Sequence, residues 1–127
     1  GMVAVAAVAD FRPTKAESQK MKRGQTTEIK LTLTANPDIV GALAIKKGLR
    51  VVVGFALETK AGKKEALRKM VTKNLDFVVL NDPAAQGAST AQWEVFGKDG
   101  SQENWGPSAK KPLARRLVDK AFPAILE

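Results

Sequence analysis

Three short apolar segments limit the possible folds of this chain more than any other feature of the sequence. They are Met2–Val8, Leu49–Ala56 and Leu75–Leu80. Met2–Val8 is a β-branched run without a polar face, which is typical of a central parallel strand covered on both sides. The other two segments are likewise predicted to be buried strands.

A helix is predicted to open with Asn36-Pro37-Asp38. These residues supply an N-cap, a proline for the first helical position and an acid for the first turn. The helix is predicted to direct Ile39, Leu43 and Ala44 toward the core. It is predicted to end near Lys46–Gly48, since cations and a glycine favour a C-terminus.

Two further segments have the apolar spacing of amphipathic helices. The first is Thr59–Thr72, and the second runs from about Pro112 to Ala121. The apolar side of the first is predicted to consist of Ala66, Leu67, Met70 and Val71. The stripe of the second is predicted to consist of Leu113, Leu117 and Ala121.

A basic flap is predicted over residues 11–34. Its first part, Phe11–Gly24, is a surface loop or flap that carries the basic residues Arg12, Lys15, Lys20, Lys22 and Arg23. Its second part, Thr27–Thr34, alternates apolar and polar residues and is predicted to be a half-buried strand. The apolar face of that strand would consist of Ile29, Leu31 and Leu33.

Strands that alternate with helices favour right-handed βαβ units and a parallel sheet covered by helices. Gln92–Phe96 and Gln102–Trp105 are predicted to form a hairpin, because Asp99-Gly100 between them is a turn signal. The predicted fold class is α/β, a partial Rossmann-like parallel sheet flanked by helices, with a basic flap and a C-terminal hairpin. At 127 residues, the chain is predicted to be a single domain.

The composition excludes several kinds of chemistry. The sequence has no cysteine and no histidine, so disulfides, thiolate nucleophiles, Ser-His-Asp triads and imidazole metal sites are ruled out. The longest apolar run has eight residues, Met2–Ala9, which is too short to span a membrane. No basic segment precedes it as in a signal peptide, so we expect a cytoplasmic protein. Gly1 is interpreted as a residue left by tag removal.

The net charge of +8 arises from 21 Lys and Arg against 13 Asp and Glu. Such an excess favours anionic partners such as phosphates, nucleic acid or acidic lipids, although it also fits a surface that is merely well solvated. No recognised nucleic-acid motif is present. A phosphate-containing small molecule is therefore the expected partner, with neither nucleic acid nor membrane.

The carboxyl ends of the predicted strands carry candidate ligand-binding residues, since ligands of such sheets bind beyond those ends. Asp10 follows the first strand and is a candidate magnesium ligand, or else it caps the next turn. The ends of the later strands hold Phe55–Glu58 and Asn81-Asp82, and the helix N-terminus at Pro37 could face the same crevice. These groups are predicted to converge on one edge of the sheet.

Other candidates have both a structural and a functional interpretation. Lys69 and Lys73 are four residues apart on one helix face, where they would either bind a polyphosphate or simply be solvated. Lys20 would close over a ligand with the flap, although Lys22 and Arg23 fit equally well. Phe55 is expected in the core. Trp93 and Trp105 are expected to pair across the hairpin.

Five motifs follow one another along residues 2 to 82. They are Ala6-Ala-Val-Ala-Asp-Phe-Arg-Pro13, Lys20-Met-Lys-Arg23, Ala35-Asn-Pro-Asp-Ile39, Val53-Gly-Phe-Ala-Leu-Glu-Thr59, and Lys73-Asn-Leu-Asp76 leading to Asn81-Asp82. With these motifs in this order, the chain resembles phosphopantothenoylcysteine synthetase, also called phosphopantothenate cysteine ligase. The chain departs from the family at Gly87–Gln92, where a Gly-Phe-Gly-Ser type loop is usual.

The resemblance implies a two-step ligation in coenzyme A biosynthesis. The carboxylate of 4'-phosphopantothenate attacks the α-phosphate of CTP or ATP with Mg²⁺ and releases pyrophosphate. Cysteine then displaces the nucleotide from the acyl-nucleotidylate. This chemistry suits a chain without histidine, because phosphate activation depends on cations that hold charge.

The resemblance also implies roles for particular positions. Asp10 would serve the metal and the triphosphate, and Lys20 would be the flap lysine that aids conversion of the intermediate. The implied nucleotide-binding residues are Ala4, Val5, Ala6, Pro37, Asp38, Ile39, Val40, Phe55, Lys69 and Lys73.

The family's upstream half is missing from this chain. We therefore expect an incomplete ligase domain that is inactive alone, and a homodimer that covers the edge of Met2–Val8 left bare by the missing half. The alternatives are a nucleotide-binding or regulatory module without ligase activity, and a basic nucleic-acid-binding protein.

Overall fold

The computed structural model describes residues 1–15, 28–57, 61–82 and 87–123. The chain divides into two compact units. The larger unit consists of Gly1–Val5 and Ile39–Glu127, and the smaller one of Ala6–Asp38.

The described elements follow the chain in this order: β1 (Met2–Ala4), β2 (Phe11–Pro13), β3 (Leu33–Ala35), α1 (Ile39–Ile45), β4 (Val52–Leu57), α2 (Gly62–Thr72), β5 (Phe77–Asn81), β6 (Thr90–Gly97), β7 (Gln102–Ala109) and α3 (Lys110–Ala121). None of the described helices is long and apolar enough to cross a membrane.

The larger unit is built on a five-stranded sheet of order β1-β4-β5-β6-β7. β1, β4 and β5 run parallel, whereas β6 and β7 are antiparallel to their neighbours. The α/β prediction is confirmed, and the predicted hairpin adds two antiparallel strands to the sheet. Its tryptophans pair as expected, since Trp93 is the register partner of Trp105.

Alternation along the strands gives the sheet two apolar faces. One face packs against α3 through a cluster that includes Val53, Val79, Trp105, Leu113 and Leu117. The predicted stripe of the last helix is confirmed, because its three residues are all buried.

The opposite face of the sheet packs against α1 and α2. Its buried cluster includes Ala44, Ala66, Met70, Val78 and Phe96. The small side chains of Ala44 and Ala66 are completely buried, which lets both helices approach the sheet closely.

Two predicted strands differ from those observed. The first is limited to Met2–Ala4 and lies at the edge of the sheet, so the prediction of a central strand over Met2–Val8 is wrong. Only β4 pairs with it among the described strands, and Val5 and Val8 are exposed. The second begins at Val52, and Leu49 is fully exposed in the turn before it.

The apolar faces of two helices also differ from the prediction. Ile39 and Leu43 are 57% and 49% exposed, whereas Val40 and Ala44 of α1 contact the core. On α2, Val71 is exposed. On α1, the predicted core residues share a face by sequence spacing, but a helix of seven residues presents only a narrow strip to the sheet.

The smaller unit contains the antiparallel pair β2 and β3. Asn36 supports this pair: its Nδ2 donates to the Ala9 carbonyl at 2.7 Å, and its Oδ1 accepts from Arg12 at 2.7 Å. Both polar atoms of the side chain are thus engaged, so the predicted N-cap role of Asn36 is wrong. The helix begins at Ile39, so the predicted places of Pro37 at the first helical position and of Asp38 in the first turn are wrong as well.

The half-buried strand predicted over Thr27–Thr34 is also wrong in extent and burial. The observed strand is Leu33–Ala35, and Ile29, Leu31 and Leu33 are exposed. Thr27 lies outside the described residues, as does most of the predicted flap from 16 onward.

A polar cluster connects the amino ends of β4 and β5 to the end of α1 by hydrogen bonds. Asp76 accepts a hydrogen bond from Lys47 Nζ at 2.7 Å and one from the Val52 amide at 2.8 Å. Lys47 Nζ also donates to the Asn74 carbonyl at 2.8 Å. The Lys47 side chain is only 10% exposed, so its charge depends on these acceptors.

Glu103 on β7 forms a second polar cluster, against α3. Its carboxylate accepts from Lys120 Nζ at 2.6 Å, from Trp105 Nε1 at 2.7 Å and from Arg116 at 3.1 Å. The hydrogen bond from Lys120, followed by that from Trp105, lowers the pKa of Glu103 below its ordinary value.

Glu103 is therefore expected to make stability depend on pH in the acid range. Because its pKa is lower in the folded than in the unfolded protein, its contribution is present above the unfolded pKa and is lost as pH falls through the folded pKa. Melting temperatures of the wild type and of E103Q, measured from neutral pH down to about pH 3, should converge at the acid end. A difference in melting temperature between the wild type and E103Q that stays constant with pH would contradict this role.

Candidate functional site

A cavity of about 340 Å³ lies at the carboxyl end of β5. Gly62 and Lys63 contribute from the first turn of α2, and Gln92 and Glu94 from β6. Its lining consists of Gly62, Lys63, Leu80, Asn81, Asp82, Gln92 and Glu94. Gln92 and Glu94 alternate with the buried Ala91, Trp93 and Val95, so they lie on the α2 side of the sheet.

The cavity combines charges of both signs. Lys63 Nζ donates to Gln102 Oε1 at 2.7 Å and lies 5.8 Å from the centre of the Phe96 ring. Gln102 Nε2 approaches Glu94 Oε2 at 3.5 Å. The helix contributes as well, because no side chain caps its N-terminus and the first amides of a helix lack intrahelical acceptors.

Two buried polar atoms of β5 and β6 have no hydrogen-bond partner among the described residues. They are Asn81 Oδ1 and Trp93 Nε1. Asn81 and Trp93 are register partners on neighbouring strands, and Trp93 is only 7% exposed. Register partners point to the same face of a sheet, and Trp93 belongs to the cluster that packs against α3. The two side chains therefore face away from Gln92 and Glu94.

Phe55 lies in β4 and is half-buried, in contact with the core on the α3 side. Its ring meets that of Trp93 edge to face, with centres 5.3 Å apart and an interplanar angle of 84°. Phe55 is therefore a core residue beside the unpaired indole, and it does not line the cavity.

Lys69 and Lys73 lie in and just after the last turn of α2 and are both half-buried. The Lys73 amide donates to the Lys69 carbonyl at 3.0 Å. They share one side of the helix as predicted, but neither lines the cavity.

The remaining predicted site residues are distributed over both units. In the larger unit, Ala4 and Val40 are half-buried, whereas Val5 and Ile39 are exposed. In the smaller unit, the exposed residues are Ala6, Asp10, Pro37 and Asp38. Lys20 lies outside the described residues.

Asp10 has the environment of a turn residue. Its carbonyl accepts from the Asn36 amide at 2.8 Å. The described residues contain no group of three or more acidic side chains able to hold a metal ion. A single exposed carboxylate still fits Mg²⁺ that arrives with a triphosphate, because this ion is commonly held by one or two carboxylates together with phosphates.

Lys63, Gln92 and Glu94 were not identified from the sequence as site residues. Lys63 follows Gly62 without the pattern of a phosphate loop. Gln92 and Glu94 look like the solvent-facing positions of a hairpin strand. Exposed and buried residues alternate along β6, which pairs with the strand that ends at Asn81. This alternation is the signal that could have identified them.

The fold defines this protein as an α/β protein in which polar side chains line a cavity at the carboxyl end of a parallel strand. The model of the DNA/pantothenate metabolism flavoprotein C-terminal domain family matches residues 1–124. The chain belongs to this family.

Two relatives and one solved structure illustrate the similarity. The coenzyme A biosynthesis bifunctional protein CoaBC of Bacillus subtilis (strain 168) is 41% identical over 99% of this chain, which spans 30% of that protein. A cysteine/cysteine sulfinic acid decarboxylase from an unknown prokaryotic organism is 35% identical over 97% of this chain, which spans 35% of that protein.

The solved structure is the C-terminal domain of a CoaBC bifunctional protein, with a TM-score of 0.70 and 27% identity. The match covers 91% of this chain and 49% of that domain. The chain therefore spans about a third of these two relatives and about half of the solved domain.

Proposed function

We propose that this chain is the nucleotide-binding part of a phosphopantothenate cysteine ligase. The single observation that carries the proposal is the family match over residues 1–124. The 41% identity to a coenzyme A biosynthesis protein across almost the whole chain supports it, as do the five sequence motifs.

The proposed reaction has two steps. A carboxylate oxygen of 4'-phosphopantothenate attacks the α-phosphorus of CTP or ATP, and the bond to pyrophosphate breaks. The amine of cysteine then attacks the acyl carbon, the nucleoside monophosphate leaves with the bonding electrons, and the ammonium formed loses a proton.

The chain's own residues would bind and orient the nucleotide. We propose Lys69 and Lys73 for the phosphates and Phe55 for the nucleotide pocket. Backbone at Ala4–Ala6 and at Pro37–Val40 would border the nucleotide. Cations suit this task because negative charge on the phosphates is held throughout the first step.

Asp10 and Lys20 have separate proposed roles. Asp10 would hold Mg²⁺ together with the triphosphate, and this ion would supply neutralisation of phosphate charge. Lys20 would act from a flap over residues 11–34 on the acyl intermediate, as its position in the Lys20–Arg23 motif suggests.

The proposal treats residues 1–127 as one incomplete ligase domain. Because the chain spans 49% of the solved domain, we propose that the rest of the substrate site lies in the upstream half. The chain alone would bind nucleotide weakly and make no product. We further propose that the protein is a homodimer, since β1 is an apolar edge strand with no strand on its outer side among the described elements. We also propose that it is cytoplasmic.

Lys69 provides the test of nucleotide binding. K69A is expected to weaken binding of CTP with Mg²⁺ by about 1 to 3 kcal/mol, because a charge-assisted hydrogen bond to phosphate is lost. Isothermal titration calorimetry on the wild type and the variant measures the difference for CTP and for ATP.

K64A is the matched control, since Lys64 is an exposed lysine on the same helix. It should leave the affinity unchanged. Equal affinities for K69A and the wild type would remove Lys69 from the site, and no binding of either nucleotide at millimolar concentration would count against the proposed function.

A further inference from the structure

Phe55 and Trp93 form an aromatic pair on the side of the sheet that faces α3. Their ring centres are 5.3 Å apart and their planes meet at 84°, so the edge of one ring points at the face of the other. Phe55 packs against the buried cluster to which Trp93 belongs. Aromatic rings prefer this arrangement, because their faces are negative and their edges positive. The contact therefore favours one orientation of the Phe55 ring.

The surroundings of the two rings are different. Trp93 is 7% exposed and lies on β6, with β5 on one side and β7 on the other. Phe55 is half-buried, and β1 pairs with β4 only as far as Gly54. Among the described strands, Phe55 therefore has a strand partner on its β5 side alone, where it is paired with Val79. Trp93 is the fixed ring of the pair, and Phe55 is the ring with room to turn.

A hydrogen bond does not account for a tryptophan at position 93. Its Nε1 is buried and has no partner among the described residues, whereas Nε1 of Trp105 donates to Glu103 at 2.7 Å. A buried donor without an acceptor lowers stability, and phenylalanine at position 93 would avoid that cost. The contribution of Trp93 therefore lies in its ring contacts, which include the edge-to-face contact with Phe55.

We propose that Trp93 is a positioning residue that fixes the orientation of the Phe55 ring for nucleotide binding. This inference rests on the proposed function, in which Phe55 lines the nucleotide pocket. Trp93 acts without touching the nucleotide, because its own side chain is buried. A ring that is oriented in advance loses less conformational freedom when the nucleotide binds, so the affinity is higher.

The indole signals of the ¹⁵N-labelled chain test this coupling in the intact protein. The chain has two tryptophans, and W93F assigns their two Nε1 signals by removing one of them. Titration with CTP and Mg²⁺ at millimolar concentration should shift the Trp93 signal and the Phe55 amide with the same apparent affinity. The Trp105 signal should move much less, because Glu103 holds its Nε1. In F55L, the Trp93 signal should stay in place even when CTP saturates the chain.

A double-variant cycle distinguishes positioning from a structural role. W93L should weaken CTP binding about fivefold, because the aromatic pair is lost. W93F keeps an aromatic ring and should bind within about twofold of the wild type. Because Trp93 acts through Phe55, W93L should have no further effect in a chain that already carries F55L.

F96L is the matched control for loss of a buried ring. Phe96 lies on the same strand as Trp93 and is 2% exposed, but it belongs to the cluster on the opposite face of the sheet. Its replacement should lower stability and leave the affinity for CTP unchanged. Dispersion of the amide spectrum shows whether each variant is folded.

The outcomes separate this inference from the proposed function. Equal affinities of W93L and the wild type, additive losses in W93L and F55L, or an unmoved Trp93 signal while CTP binds would each overturn the positioning role. The proposed function would stand in all three cases. If neither CTP nor ATP binds the wild type, both fail together. If W93L does not fold, the Trp93 signal in the wild type and in F55L decides the matter.

Discussion

Replacing Asp76 with alanine is expected to lower the free energy of unfolding by about 3 kcal/mol, because it leaves a nearly buried lysine without its carboxylate. The Lys47 and Asp76 side chains are 10% and 25% exposed, and their ion pair measures 2.7 Å. The Val52 amide at the start of β4 also loses its acceptor. Urea unfolding should show a lower midpoint with an unchanged slope.

The control is E65A. Glu65 and Arg68 form an ion pair of similar length, 2.8 Å, with both side chains at least a third exposed. Removal of this carboxylate should cost less than about 1 kcal/mol, because exposed ion pairs contribute little. A loss for D76A as small as that for E65A would contradict the importance of burial.

The double variant K47M/D76A separates two causes of the loss. If the unpaired charge of Lys47 dominates, replacing it with an apolar side chain should restore part of the stability lost in D76A. No recovery would attribute the loss to the Val52 amide and to packing instead.

Replacing Lys20 with alanine is expected to separate the two steps of the proposed reaction in a complete ligase domain. A flap cation that acts on the acyl-nucleotidylate should leave its formation intact and slow its conversion to the amide by about 100-fold, the effect of removing one charge-stabilising donor. Pyrophosphate release and amide formation can be followed separately. Equal loss of both rates would place Lys20 in binding or in the first step.

Local patterns predicted much of the fold. The Asp99-Gly100 turn indicated the hairpin, and Gly100 indeed has a φ of +86°. The spacing of Leu113, Leu117 and Ala121 gave the buried face of the last helix. Such features depend on neighbours in the sequence, so they can be identified without knowing the tertiary structure.

Features set by distant contacts could not be predicted in the same way. Leu43 is apolar and correctly spaced yet 49% exposed, whereas Val40, which was not predicted to face the core, packs against it. Val5 continues an apolar run yet lies beyond the point where β1 pairs with β4. Burial at these positions depends on which element covers them.

The candidate site likewise combines residues that could be predicted from the local sequence with residues that depend on distant contacts. The strand-end position of Asn81 was visible in the sequence, since it closes a buried strand. Lys63 and Glu94 belong to the cavity only because α2 and β6 both adjoin the end of β5. Their types and spacing alone are those of ordinary surface residues.

The most direct test of the central claim is pyrophosphate release by a completed ligase domain. Residues 1–127 would be joined to the upstream part of the CoaBC C-terminal domain and supplied with 4'-phosphopantothenate, Mg²⁺ and CTP or ATP. The proposed function predicts pyrophosphate release that depends on phosphopantothenate and that K69A reduces. A folded fusion that binds phosphopantothenate but releases no pyrophosphate with either nucleotide would contradict it.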